Sequence, residues 1–272
     1  MTNYNGTIQV DTQTSIATNR AFLYADALFD TLIAENNQLH FFEAHYFRLV
    51  ASMRQLRMEI PSNFTQEYWQ NEILKTISES QVTHARVRTT IFREANGLYT
   101  PTSNKVSFII QVSDLFYETK QNFKLGIYKD NYLNTNRLNN LKTTNRIQNV
   151  LASIYAKENQ FDSCILLNHK KQVAEAIHAN IFVVFGKEIK TPPLSEGCID
   201  GVIRKEVIKI IKSNSEYLFT EASITPFELQ QASEIFLTNS VIGVQSVTIF
   251  KKKSFEVKIG SQIAHELGSL NS

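Results

Sequence analysis

Four kinds of side chain along the 272-residue sequence could do chemistry. Lys142 offers an amine in a polar run, NNLKTTN, and Glu175 a carboxylate inside the apolar run VAEAIHANIF. Arg48 offers a guanidinium on a helical pattern, and Gly197 and Gly201 precede another helical pattern. A lysine amine can attack a carbonyl or carry a proton, and a guanidinium suits a carboxylate or a phosphate. Taken singly, each residue has an ordinary structural reading. A lysine in a polar run faces solvent, an acid beside strand residues ends a turn, and an arginine on a helix covers apolar area with its stem. The glycines serve equally as turn and cap positions.

The elements that must position these residues alternate between helix and strand. Leu49, Met53 and Leu56 recur at i, i+4 and i+7 after the lead-in 39–42, which predicts a helix carrying Arg48. Pro61 and Ser62 break it, and Trp69, Ile73 and Ile77 share one face of a second helix. Residues 85–93, 105–113 and 123–128 read as strands. Beyond about residue 119 the pattern restarts. A helix is expected over 145–158 with Ile147, Leu151 and Ile154 aligned, then strands over 164–168 and 176–185 around the turn at 169–171. A helix over 202–212 turns Ile203, Val207, Ile210 and Ile211 inward, and late strands follow at 234–238 and 247–250. The polar stretch 116–122 marks the expected division into domains 1–118 and 119–272.

Composition narrows the function classes. A net charge of +2 gives no field to draw the chain to nucleic acid or anionic lipid, and Lys251–Lys253 reads as a solvated turn. Two cysteines, Cys164 and Cys198, exclude a disulfide-dense secreted design and a structural zinc site, so no metal is expected. No basic cap with an apolar run opens the sequence, and no stretch approaches the ~18 apolar residues of a membrane span. A reduced cytoplasm is the expected location.

Order and context then change the reading of the single residues. HYFRL (45–49), LKTTNRIQNVLASIYA (141–156), FDSCILLNHKKQVAEAIHANIFVV (161–184), TPPLSEGCIDGVIR (191–204) and EIFLTNSVIGVQSV (234–247) are collinear with the motifs of one family. Together they resemble the class IV, or fold-type IV, pyridoxal-phosphate aminotransferases and their lyase relatives. The resemblance implies an α+β, D-amino-acid-aminotransferase-like fold. A small N-terminal α/β domain would precede a larger, β-barrel-like C-terminal domain with helices. It implies pyridoxal 5′-phosphate as cofactor, with Lys142 forming the Schiff base and later moving the proton. Glu175 would hold the pyridine nitrogen protonated. Arg48, the N–H groups of Val202 and Ile203, and Ser240 would hold the phosphate, and Asn180 would support the hairpin beneath the ring. The family's enzymes are homodimers, so a homodimer is expected.

Within the family, LKTTNRIQNVL resembles the aminodeoxychorismate lyase pattern "[IL]-K-x-x-N-R-x-x-x-V-L", and Asn239 before Ser240 is similar to the lyases as well. Branched-chain enzymes read "K-x-x-x-N-Y" there, and the "R-x-H" trap of D-amino-acid enzymes is missing from 95–104. The implied reaction converts 4-amino-4-deoxychorismate to 4-aminobenzoate, a folate precursor, and pyruvate. The alternatives are a branched-chain or D-amino-acid aminotransferase using 2-oxoglutarate, and a non-catalytic binding protein on the same fold. Two departures bear on this. The family's "GDG" is Ala25-Asp26-Ala27, and the lyases' "GGRGY" arginine is replaced by Leu98. Arg93 and Arg88 are the candidates to hold substrate carboxylates in its stead, and Thr31 is a candidate to assist proton delivery.

Overall fold

The computed structural model describes residues 1–9, 16–117 and 119–270. The chain forms two compact units: Met1–Phe116 with Lys142–Asn145, and Tyr117–Leu141 with Arg146–Ser272. The short segment around Lys142 therefore belongs to the first unit, although the chain on both sides of it belongs to the second.

The first unit is a six-stranded antiparallel sheet in the order Thr7–Gln9, Thr2–Tyr4, Val106–Asp114, His84–Arg93, Ala27–Glu35, Gln38–Leu39. Period-two patterning divides its faces. Leu28, Asp30, Leu32 and Ala34 alternate with Phe29, Thr31 and Ile33, and Ala85, Val87 and Thr89 alternate with Arg86 and Arg88. The buried set lies under the helices Phe42–Gln55 and Gln66–Ser80. The expected Leu49 and Met53, and Trp69, Ile73 and Ile77, are all buried. Each such side chain contributes about 1.5–3 kcal/mol. Thr65 starts the second helix by accepting the Tyr68 N–H at 3.1 Å, and Gln81 ends it in the left-handed region.

The second unit holds two five-stranded sheets. One runs Leu218–Glu221, Glu188–Thr191, Asn180–Phe185, Glu234–Asn239, Gly243–Val247. The other runs Lys253–Ser254, Ile249–Phe250, Lys124–Leu133, Ser163–Asn168, Val173–Ala176. They share one apolar core that includes Leu125, Ile165, Ile181, Val183, Ile235 and Leu237. Two sheets closing on a common core give the expected barrel-like C-terminal unit. Helices Val202–Ser213 and Ile259–Ser269 pack on it, the latter capped by the buried Glu234 carboxylate, which accepts the N–H groups of Lys258, Ile259 and Gly260. Among the described residues no helix is long and apolar enough to cross a membrane.

Two expectations need correction. The run 176–185 is not one strand: Val173–Ala176 ends at a bridge between Ala176 and Ala179, and a new strand starts at Asn180. Buried side chains at nearly every position of both strands hide this turn from a reading by hydropathy. The helix begins at Ile147, and its aligned stripe is its exposed face. Ile147, Val150, Leu151 and Ile154 are between 41% and 61% exposed, whereas Ala152 and Ala156 are buried against Tyr128, Cys164 and Leu166. Small alanines let the helix approach its strands closely, which leaves the bulky aliphatics outside.

Candidate active site

The first unit carries the amine. The Lys142 carbonyl accepts the Phe29 N–H at 2.8 Å, and the Thr144 N–H donates to the Ala27 carbonyl at 3.0 Å. With the bridge between Leu28 and Thr143, these bonds staple the lysine segment along the start of Ala27–Glu35. A polar tetrapeptide thus becomes a rigid mount. Lys142 is half-buried, and its Nζ lies 4.6 Å from the centre of the Phe29 ring, a cation–π contact.

The same strand presents Asp30 on its helix-facing side. Arg48 closes a fork on this carboxylate, Nε to Oδ2 at 3.1 Å and Nη2 to Oδ1, and His45 Nδ1 lies 2.8 Å from Oδ1. His45 and Arg48, one turn apart on Phe42–Gln55, therefore converge on one acid. Burial opposes ionisation of Asp30, but the Arg48 and His45 charges and hydrogen bonds outweigh it and hold the carboxyl well below the usual range. Burial pushes the His45 pKa down, against the pull of Asp30 and helped by Arg48 and Lys142. The arrangement fixes the plane of a guanidinium that is nearly out of water.

The second unit, taken by itself, carries a carboxylate and a helix start. Glu175 is buried in Val173–Ala176, and its Oε2 accepts the Ile199 N–H at 2.8 Å. The Asn180 amide donates to the carbonyl of the same Ile199 at 2.9 Å. One residue's backbone is thereby gripped by both groups. Gly197 opens this loop at φ +91°, where a Cβ would strike the Asn134 carbonyl, and a Cβ on Gly201 would collide with the Asn180 amide oxygen. Thr191 bonds the Ile181 carbonyl at 2.7 Å and Arg204 the Pro192 carbonyl at 3.0 Å, so most of the TPPLSEGCIDGVIR motif is spent on the shape of this loop. Helix Val202–Ser213 then starts at Gly201 with no side-chain cap and no acid in its first turn. Its leading N–H groups and positive end suit a phosphate, and Val202 and Ile203, both buried, lie there. Burial lowers the pKa of Arg146, with Glu175 pulling the other way.

The remaining candidates divide. Thr31 sits in register with Arg88 on the face of the first sheet that carries Phe29. Ser240 is half-buried in the turn after Glu234–Asn239. Asn239 is committed to that turn: its Oδ1 accepts the Val241 and Ile242 N–H groups at 2.9 Å, and its amide donates to the His178 carbonyl. Arg93 is buried and bound to protein acceptors: the Asp26 carboxylate, the Asn104 amide oxygen and the Leu56 and Arg57 carbonyls. Both residues bracket protein groups around them. Arg20 shares Asp26 with Arg93 at 2.9 Å each and holds the carbonyls of Gly97 and Leu98. Sequence reasoning passed over Asp30, His45 and Phe29. The signal for all three lay in FDT (29–31) and in the histidine of HYFRL, whose partners become visible only when strand and helix meet.

Comparison with known proteins gives three findings. Residues 27–250 match the model of the family described as amino-transferase class IV. An aminodeoxychorismate lyase of Vibrio harveyi is 25% identical over 262 residues, covering 93% of this chain and 94% of its own, and a putative branched-chain-amino-acid aminotransferase of Methanocaldococcus jannaschii is 27% identical over 233 residues, covering 84% and 80%. The solved T.th. branched-chain amino acid aminotransferase with pyridoxamine 5′-phosphate superimposes with a TM-score of 0.88 at 20% identity, covering 99% of this chain and 93% of that one.

Proposed function

Since the chain belongs to the class IV aminotransferases, which are pyridoxal 5′-phosphate enzymes, we propose that it is the lyase of that family, releasing pyruvate from 4-amino-4-deoxychorismate and leaving 4-aminobenzoate. The observation that carries this reading is the end-to-end match to the Vibrio lyase, together with Arg146 after Asn145 in the lysine segment. The match to an archaeal branched-chain enzyme at similar identity supports the second reading, a transaminase.

The donor types suit the cofactor. The first unit carries a mounted amine and a fixed guanidinium, and the second unit a buried carboxylate and an uncapped helix start with no acid in its first turn. When bound, pyridoxal phosphate supplies an aldehyde and a conjugated ring that accepts electrons. In the proposed reaction Lys142 would hold the cofactor through its aldehyde, and its amine would move the proton at the amine-bearing carbon of the substrate. Glu175, aimed by Ile199, keeps a proton on the ring nitrogen. Arg48, held flat by Asp30, serves the phosphate with the N–H groups of Val202 and Ile203 and with Ser240. Asn180 keeps the Ile199 loop in place, and Thr31 assists proton delivery. Residues 1–118 act as the smaller domain and 119–272 as the larger, cofactor-binding domain, in a cytoplasmic homodimer. The stripe Ile147, Val150, Leu151 and Ile154 supports self-association, because one helix face carrying four exposed aliphatics calls for a covering partner.

The test is pyruvate formation from 4-amino-4-deoxychorismate by the purified, cofactor-loaded protein with no keto acid added. Wild type should form pyruvate and 4-aminobenzoate in equal amounts, and Lys142→Ala neither. Turnover that requires 2-oxoglutarate and yields glutamate would replace the lyase with the transaminase.

A further inference from the structure

Within the second unit, Glu175 is an acid whose charge needs support. It is 3% exposed, and burial by itself drives a carboxyl toward its neutral form. The Ile199 N–H, 2.8 Å from Oε2, is a neutral donor. A cation comes from the start of helix Ile147–Glu158. That helix packs on Lys124–Leu133 and Ser163–Asn168, and Leu166 of the latter strand is in register with Glu175. The Asn149 amide, in the first turn, donates at 2.5 Å to the carbonyl of Ile177, two residues beyond Glu175. Arg146 caps the same helix start three residues before Asn149. Its Nη2 is anchored at 2.5 Å on the Leu141 carbonyl, and Glu175 stabilises its charge.

The other charged and titratable groups of this neighbourhood are committed or neutral. The Cys198 thiol, which feels Glu175, is pushed up to about 12, and Cys164 on the adjoining strand to about 11. Asp200 pairs with Lys205 at 2.6 Å, and Arg204 with Glu221 at 2.5 Å. His178 lies in the turn after Glu175, its carbonyl accepting the Asn239 amide.

We propose that Arg146 is a positioning residue for the cofactor ring: its charge keeps Glu175 ionised, and so ready to hold a proton on the ring nitrogen. With a neutral residue at 146 the buried acid takes up a proton of its own, which must leave before the cationic ring can be held. The inference rests on the reading that Glu175 serves that nitrogen, and it applies to lyase and transaminase alike.

The probe is 4-deoxypyridoxine 5′-phosphate, which keeps the ring nitrogen and the phosphate but has a methyl group in place of the aldehyde. Binding then includes no bond to lysine. Its Kd is measured by calorimetry between about pH 6 and about pH 9 on the full-length protein freed of cofactor. Wild type is compared with Arg146→Gln, Arg146→Met, Arg146→Lys and Glu175→Gln, with melting temperature as a control. The probe's own titration is common to all, so each Kd is read as a ratio to wild type. E175Q should raise Kd by at least about tenfold. R146Q and R146M should raise it about 10- to 30-fold near pH 6, and the ratio should fall toward one as pH rises, because alkali returns the charge to Glu175. R146K keeps the charge and should stay within about threefold of wild type throughout. A loss in R146Q that does not vary with pH marks a merely structural role and overturns the proposal, as does binding equal to wild type. If neither neutral variant folds, wild type decides: its advantage over E175Q should persist down to about pH 6, and its disappearance there shows Glu175 protonated in spite of Arg146 and overturns the proposal. E175Q that binds the probe as wild type does sinks the reading of Glu175 and this inference with it. Weakened binding by E175Q beside unaltered binding by R146Q sinks this inference alone.

Discussion

Ala25 stands in the left-handed region at φ +52°, in a position where the resembled family has glycine. The Cβ is strained there. Ala25→Gly should therefore raise unfolding free energy by about 0.5–1 kcal/mol in a denaturant titration. Asp30 makes the opposite kind of contribution. Its folded pKa lies below its unfolded value, so the unfolded chain takes up the proton first as pH falls. Its stabilisation is whole above about pH 4 and fades below. Asp30→Asn should cost about 3 kcal/mol at pH 7. The gap to wild type should close by about 1.4 kcal/mol per pH unit below about 4, read from unfolding curves at a series of pH values. The thiols give a third expectation. Burial pushes Cys164 to about 11, and burial with nearby Glu175 pushes Cys198 to about 12. Native protein at about pH 8 should resist iodoacetamide, and unfolded protein should take up a label on each of the two thiols, read by mass.

At the scale of elements, the segment 197–201 shows what a linear motif conveys and what it hides. The spacing of Thr191, Gly197, Gly201 and Arg204 was legible as a family pattern, and so was the helix that follows. That the backbone of Ile199 would be held on its two sides by Glu175 and Asn180 was not legible, because those partners lie 24 and 19 residues away on separate strands. Gly201→Ala tests the geometry. A methyl there displaces the Asn180 amide and tilts the helix start, so the protein should keep its far-ultraviolet circular dichroism while its affinity for pyridoxal phosphate falls by at least about tenfold. Helix Ile147–Glu158 teaches a related lesson. Its period of about 3.6 was plain in the sequence, but the larger aliphatics face outward, because two alanines fit the strands better than three larger residues.

Over the whole molecule, the alternation of elements and the collinear motifs were enough to anticipate an α+β architecture. Side-chain pairings such as Asp30 with His45 and Arg48 needed the strand and the helix in place. The exposed aliphatic stripe leads to a prediction at this scale. Wild type should sediment as a dimer at micromolar concentration, and Leu151→Asp with Ile154→Asp should shift it to monomer without loss of helix content. A monomeric wild type would remove the stripe from any role in assembly.

The mount of Lys142 also limits how the chain can be divided. Its backbone partners, Ala27 and Phe29, lie more than a hundred residues earlier. Cut between residues 116 and 122, the later fragment would carry the lysine but leave behind the strand that immobilises it, and the earlier fragment would retain the strand with nothing to hold. Neither piece holds Lys142 on its strand, so a split at that linker should abolish the proposed chemistry unless the two pieces find each other again.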